Sequence, residues 1–199
     1  MNIGIIGIGL MGRAFVERFL SQGHTVSVFN RTREAVKDLE ESGVAVCDSV
    51  DELVGSSDIV ILMVSNADAI RGVLSLDQPA EQAPALEGKI VLQMATISPG
   101  QSIAIEDAVT SRGGRYLEAP VLGSLPEARA GSLIVMAGGP QAVFEEALPV
   151  LQVLGSAPRY IGQTGSAAAL KLAMNQLIAA LTAGFSLSLG YENPAVNAA

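Results

Sequence analysis

Six residues near the amino terminus constrain this chain more than any others. Gly7-Ile8-Gly9-Leu10-Met11-Gly12 follows the apolar run NIGII and precedes the helical pattern RAFVERFLSQG. In a strand-turn-helix unit with this G-x-G-x-x-G spacing, the first glycine permits the tight turn and the second lets an anion approach the backbone. The third lets the helix pack closely on the strand. The helix N-terminus then presents unpaired N–H groups to a pyrophosphate. The motif predicts a dinucleotide site held by Gly7, Gly9, Leu10, Met11 and Gly12.

The rest of the chain repeats the same alternation. Short apolar runs recur at residues 25–29, 43–46, 58–64, 89–94 and 132–137, and amphipathic segments such as REAVKDLEESG lie between them. Runs that are apolar throughout, not at every second residue, belong to strands covered on both faces. The expected fold is therefore α/β: a Rossmann-type, doubly wound, mainly parallel sheet over residues 1–162. One long apolar helix follows over 163–190, and a polar tail with a proline occupies 191–199. Residues 76–87, with two prolines among acidic residues, read as a surface loop or a short helix. Val64 and Ser65, closing and following the fourth run, are assigned to the cofactor site.

After the second run come Asn30-Arg31-Thr32-Arg33. A site preferring NAD places an acidic residue here for the ribose hydroxyls, whereas a 2'-phosphate calls for cationic and hydroxyl partners. None of these four is acidic. NADPH is expected over NADH, with Arg31 on the phosphate and Thr32 assisting beside Asn30. The alternative is that Arg31 and Arg33 are solvated residues opening a helix that Thr32 caps.

A net charge of -8 leaves no basic footprint for nucleic acid and disfavours anionic membrane surfaces. Cys47 is the single cysteine and reads as a small buried apolar residue; a lone cysteine suits a reducing, cytoplasmic setting. The run from Leu172 to Leu189 approaches membrane-spanning length, but Asn175, Gln176, Thr182 and Ser186 interrupt it, so a buried or interface helix is expected. No metal site is expected. Residues 165–184 contain one charge, Lys171. An unpaired ammonium among apolar side chains either reaches solvent or has a task that needs a proton donor in a dry pocket.

Several blocks together resemble a family. Gly7-x-Gly9-x-Met11-Gly12, Gly23-His24-x-Val26 and Asn30-Arg31-Thr32 resemble the opening of the β-hydroxyacid dehydrogenases. These include 3-hydroxyisobutyrate dehydrogenases and glyoxylate/succinic semialdehyde reductases, and are related to the NADP-binding domain of 6-phosphogluconate dehydrogenases. Met94-Ala95-Thr96-Ile97-Ser98-Pro99 resembles the family's loop beside the nicotinamide. Glu118-Ala119-Pro120-Val121-Leu122-Gly123-Ser124 resembles its substrate loop, and Ala130-Gly131-Ser132-Leu133 through Gly138-Gly139 the segment after it. Gly165 through Lys171 to Asn175 resembles its catalytic helix.

The resemblance implies an oxidoreductase acting on a small carboxylate or aldehyde. Lys171 is then the general acid toward a carbonyl oxygen, and the base in the reverse direction. Asn175, one turn on along the same helix face, holds the substrate or the lysine head. Thr96 lies near the nicotinamide, and backbone N–H groups around Gly123 and Ser124 receive a substrate carboxylate. Leu122 stands where the family commonly has serine, so that hydroxyl is missing and Ser124 is the candidate to replace it. His24, the only histidine, is read as structural. The 6-phosphogluconate dehydrogenases pair their helix lysine with a histidine absent here, and imine reductases usually lack the lysine.

Family members continue for about another hundred residues as a helical domain, an ordinary domain size. Two expectations therefore stand. One is an NADPH-dependent reductase completed by homo-oligomerisation through the long apolar helix. The other is a truncated, catalytically weak NADP-binding module.

Overall fold

The computed structural model describes residues 1–191; of the tail expected at 191–199, Tyr191 instead ends the last helix and the rest lies outside the described residues. Among those described, nine strands form one sheet. They are β1 (Ile3–Ile6), β2 (Val26–Phe29), β3 (Ala45–Val46), β4 (Ile59–Leu62), β5 (Ile90–Gln93), β6 (Arg115–Glu118), β7 (Val121–Leu122), β8 (Ile134–Gly138) and β9 (Arg159–Gly162). The helices are α1 (Leu10–Ser21), α2 (Lys37–Glu41), α3 (Val50–Ser56), α4 (Ala67–Val73), α5 (Pro99–Thr110), α6 (Leu125–Ala130), α7 (Gln141–Leu154) and α8 (Ser166–Tyr191).

The strand order is β3-β2-β1-β4-β5-β6-β8-β7, with β9 on β8. Strands β1 to β6 run parallel; β8 is antiparallel to β6 and β7, and β9 is parallel to β8. The expected doubly wound sheet is thus observed, and the chain reverses direction across it between β2 and β4, on either side of β1. A ligand crevice is expected outside the carboxyl ends of those strands.

Alternate residues of each central strand enter opposite cores. Ile5, Ile61 and Leu92 pack with Phe15 and Phe19 of α1 and Val150 of α7. Ile6, Val60, Leu62 and Val91 pack with Leu53 of α3, Ile70 of α4 and Ile105 of α5. Because both faces are covered, the strands are apolar at every position and not at every second one. Phe15 is fully buried, and truncating such a side chain to alanine costs about 3–5 kcal/mol.

Three strands escaped the sequence reading: β6, β7 and β9. Strand β6 begins and ends on a charge, Arg115-Tyr116-Leu117-Glu118, which hides it from an apolar-run criterion. Arg115 is neutralised by Glu146 on α7, and Glu118 is fully buried with its own partners. The pattern at 33–43 yields a short 3-10 turn (Arg33–Val36) before α2 instead of one helix, and 76–87 is loop around a 3-10 turn (Ala80–Gln82). Cys47 is buried, and His24 stacks edge-on against Phe19 at 5.8 Å.

Helix α8 differs from the others. Its first turn packs on α5, β8 and β9, but no residue from Leu172 to Leu189 is buried. Residues Ser166–Leu189 are long and apolar enough to cross a membrane by length and composition alone.

Candidate cofactor and active site

Each glycine of the first turn has a different surrounding. Gly7 has φ +95°, in the left-handed region, and a Cβ there would strike the Met63 carbonyl. A Cβ on Gly12 would strike the Gly7 carbonyl, so α1 passes too close to the turn for any side chain. Gly9, by contrast, faces open space. A glycine there leaves the backbone open to an external group, and Gly9 is also the N-cap of α1, with no side chain capping the helix. The first turn of α1 carries no acidic residue. This is the donor set and geometry that a pyrophosphate requires.

The end of β2 braces the turn. The Gly7 N–H donates to the Phe29 carbonyl at 3.1 Å, and the Ile8 N–H donates to Asn30 Oδ1 at 3.0 Å. Asn30 Nδ2 donates to the Thr32 carbonyl at 2.9 Å. Both ends of the Asn30 amide are therefore engaged within the chain, and Asn30 shapes the site by holding the glycine turn. Arg13, one turn into α1, pairs with Asp38 and donates to the Ala35 carbonyl at 2.7 Å, fixing the 33–38 segment beside it.

Next to the turn lies a cleft of about 1020 Å³. Of the residues assigned from sequence, Gly7, Asn30, Arg31, Thr32, Val64 and Ser65 line it. Half-buried Phe29, Val50, Val64 and Val73 give it an apolar wall suited to an adenine ring. Sequence reading missed Ser49, Asp51, Asn66, Asp68 and Ser75 on its rim. Two of these carried a readable signal: Ser49 and Asn66 are N-caps, accepting from Glu52 N–H and Ala69 N–H at 3.1 and 2.8 Å. Ser75 carried none. It holds φ +50°, and Arg112 pins its loop by donating to the carbonyls of Leu74, Ser75, Leu76 and Gln78.

The two arginines after β2 have separate fates. Arg33 is paired with Asp48 and Glu40. Arg31 lines the cleft, and among the described residues no ion pair or hydrogen bond occupies its side chain. A cation so placed, with Thr32 beside it, is available to an anion entering the cleft. Thr32 precedes the 3-10 turn without capping it through its side chain.

The other assigned residues lie outside this cleft. Leu10 is exposed and Met11 half-buried at the start of α1. Exposed Thr96 follows β5, in line with the C-terminal ends of β1, β2 and β4. Leu122 ends β7; Gly123, at φ +128°, leads into α6. A Cβ on Gly123 would press on Leu133 at 2.7 Å. The Ser124 N–H is not open to a ligand, because it donates to the Glu127 carboxylate at 2.7 Å. Lys171 is half-buried, and burial holds its ammonium below the usual lysine range. Asn175 is exposed one turn further along α8.

Glu118 joins these parts. It is fully buried at the end of β6. Its Oε1 accepts from the N–H groups of Gly165, Ala167 and Ala168 at 2.9, 2.8 and 3.2 Å, so it caps α8 from another strand. Its Oε2 accepts from the Ser102 hydroxyl of α5, which also shares a 2.8 Å hydrogen bond with Tyr116. Burial pushes the Tyr116 phenol well above its ordinary range. Among the described residues no cluster of three or more His, Cys, Asp or Glu side chains is arranged to hold a metal.

Comparison with known proteins agrees with this geometry. The family model for the NAD binding domain of 6-phosphogluconate dehydrogenase matches residues 2–165. Glyoxylate/succinic semialdehyde reductase 1 of Arabidopsis thaliana is 36% identical over 189 residues, covering 95% of this chain and 65% of that protein. Cytokine-like nuclear factor N-PAC of Danio rerio is 34% identical over 184 residues, covering 88% of this chain and 38% of that protein. Among solved structures, an imine reductase from Myxococcus stipitatus in complex with NADP+ superposes with TM-score 0.87 at 28% identity, over 96% of this chain and 65% of that one. A 3-hydroxyisobutyrate dehydrogenase from Mycobacterium tuberculosis with L-serine superposes with TM-score 0.84 at 26% identity, again over 96% and 65%. The chain thus spans less than two thirds of the length of each.

Proposed function

The chain belongs to the family of the NAD binding domain of 6-phosphogluconate dehydrogenase, and from that premise we propose that it is an NADPH-dependent oxidoreductase of small aldehydes, keto acids or hydroxyacids. The observation that carries the reading is the turn at the start of α1. Gly7 and Gly12 are closed by backbone, and Gly9 alone is open, at an uncapped helix N-terminus beside a cleft with an apolar wall.

In this reading the N–H groups of Leu10 and Met11 hold the pyrophosphate, and Val64 and Ser65 flank the adenosine half. Arg31 and Thr32 take the 2'-phosphate, which selects NADPH. Among the described residues no other arginine or lysine lines the cleft, and Arg33 is held away by Asp48 and Glu40. When bound, the nicotinamide supplies or receives the hydride at the substrate carbon.

Lys171 supplies the proton. In reduction its ammonium protonates the carbonyl oxygen and is reprotonated from solvent; in oxidation the neutral amine accepts the hydroxyl proton. Its depressed proton affinity brings both forms nearer neutral pH, where general acid–base catalysis is most effective. Asn175, four residues on, orients the lysine or the substrate oxygen. Leu122 and Gly123 border the substrate, with the Ser124 hydroxyl as the polar group replacing the serine absent at 122.

The exposed apolar face of α8, including Leu177, Leu181 and Phe185, is best covered by a second copy of this chain, so a cytoplasmic homo-oligomer is part of the proposal. The exposure of the Lys171–Asn175 face favours a second reading, a module that binds NADPH and turns over weakly without further cover. Turnover of glyoxylate and succinic semialdehyde by the chain and by Lys171→Ala tests this. NADPH oxidation that vanishes in the variant supports the reductase; equal background rates in both overturn it in favour of the binding module.

A further inference from the structure

We infer that Glu118 is a positioning residue, which sets Lys171 relative to the Thr96 loop by clamping α8 and α5 to the end of β6. The inference deepens the reductase reading and rests on Lys171 being its acid–base group.

Neither helix is placed by its own sequence alone. Helix α8 has no fully buried residue beyond Ala168, so its first turn carries most of its attachment to the domain. That turn is held through Glu118 Oε1, which receives three backbone N–H groups within it. Ala167 and Ala168 lie four and three residues before Lys171, so their amides are one turn below the lysine on the same helix. The other oxygen receives Ser102 of α5, the helix whose capped start at Ser98-Pro99 follows directly on Thr96 and Ile97. A single buried carboxylate therefore ties together the segment that carries Lys171 and the helix that follows the Thr96 loop.

The surroundings are cut to fit this group. A Cβ on Gly138 would come within 2.5 Å of Glu118 Oε1, so only glycine leaves room for the carboxylate. Gly165, at φ +95°, lets the chain turn into α8 against Pro99 and Ile103 of α5, which a Cβ there would meet at 3.5 and 3.3 Å. A buried charge is costly unless hydrogen-bonded and compensated. Glu118 satisfies both conditions, with four donors and the positive end of a 26-residue helix.

The test compares the chain with Glu118→Ala, Glu118→Asp and Glu118→Gln. Gln keeps the reach and an acceptor for the α8 amides, whereas Asp keeps the charge but loses one methylene of reach. Three readouts are taken on folded protein: NADPH affinity, kcat and KM for glyoxylate, and the acetylation rate of Lys171 relative to Lys37 and Lys89, read by mass spectrometry. We expect Ala and Asp to lower kcat by about 30- to 100-fold, as a displaced catalytic group does, and to shift the relative labelling of Lys171. NADPH affinity should stay within about twofold, because the adenosine cleft is built by other strands. Gln should recover most of kcat and the wild-type labelling ratio. If Ala does not fold, Asp against Gln carries the same contrast.

Folded Ala or Asp variants with wild-type kcat and labelling would overturn the inference. So would a labelling ratio that moves in Gln and stays at the wild-type value in Asp, which would make charge and not reach the operative property. Failure of the reductase reading looks different: no turnover in the wild type, with Lys171 labelling still dependent on residue 118. In that case Glu118 sets the lysine, but for another purpose.

Discussion

The two halves of this molecule solve the problem of placing functional groups in opposite ways. Around the glycine turn, everything is local: β1, α1, the end of β2 and Asn30 fix one another through short hydrogen bonds between neighbours in the sheet. At the other side, Lys171 stands on a helix that is exposed along most of its length and is anchored by one carboxylate from a strand about fifty residues earlier. The proposed cofactor half is therefore built from neighbouring elements of one sheet, while the proposed acid–base half depends for its geometry on a few long-range contacts. Changes in the first should abolish binding; changes in the second should spare binding and abolish turnover.

The sharpest way to break that contrast is Lys171→Ala. Loss of a general acid should lower kcat by about 10²- to 10⁴-fold with NADPH affinity unchanged; a parallel loss of affinity would mean the two halves are not separable. The wild-type pH profile sharpens the same point. Burial disfavours protonated Lys171, so the proton needed for reduction is lost at lower pH than from an ordinary lysine. The alkaline limb of reductive kcat should thus fall below about 10.4, the unperturbed lysine value.

Gly12→Ala attacks the first half. A methyl group there meets the Gly7 carbonyl and must push α1 off the turn. Overpacking of about 2–3 kcal/mol corresponds to a roughly 30- to 150-fold loss of NADPH affinity, read by fluorescence titration. Arg31→Ala is more selective: losing charge-assisted hydrogen bonds should weaken NADPH by roughly ten- to hundredfold and leave NADH unchanged. Equal losses for both cofactors would move Arg31 from specificity to structure.

The smallest effect is expected at Arg13–Asp38. The hydrogen bond from Arg13 holds the Asp38 carboxyl below the ordinary carboxylate range. Its contribution is therefore present above the unfolded-state value, near 3.9, and lost as pH falls through the lower folded value. Exposed pairs contribute little, so Asp38→Asn should barely move the thermal midpoint at pH 7 and remove part of its decline under acid.

What could be read from the sequence divides along the same line. The glycine turn, the apolar strands and Asn30-Arg31-Thr32 were legible because each is a contiguous pattern whose partners follow on schedule. Lys171 was legible as a lone charge in an apolar helix, and the resemblance gave it a role. Strand β6 was not legible, because Arg115 and Glu118 read as surface residues until Glu146 and the α8 amides, 31 and 47 or more residues away, come into contact with them. The wall of the cleft at Ser75 escaped for the same reason: its conformation is held by Arg112, 37 residues on. The Ser124 N–H, expected to face substrate, is engaged by Glu127 in a local box that the S-x-x-E spacing does carry.

The most direct test of the account is a fluorescence titration of the purified 199-residue chain with NADPH and with NADH, with glyoxylate added to the saturated sample. Saturable binding at least about tenfold tighter for NADPH, followed by oxidation on adding the aldehyde, is the predicted result. The absence of saturable binding of either cofactor would contradict the reading of the glycine turn on which everything else is built.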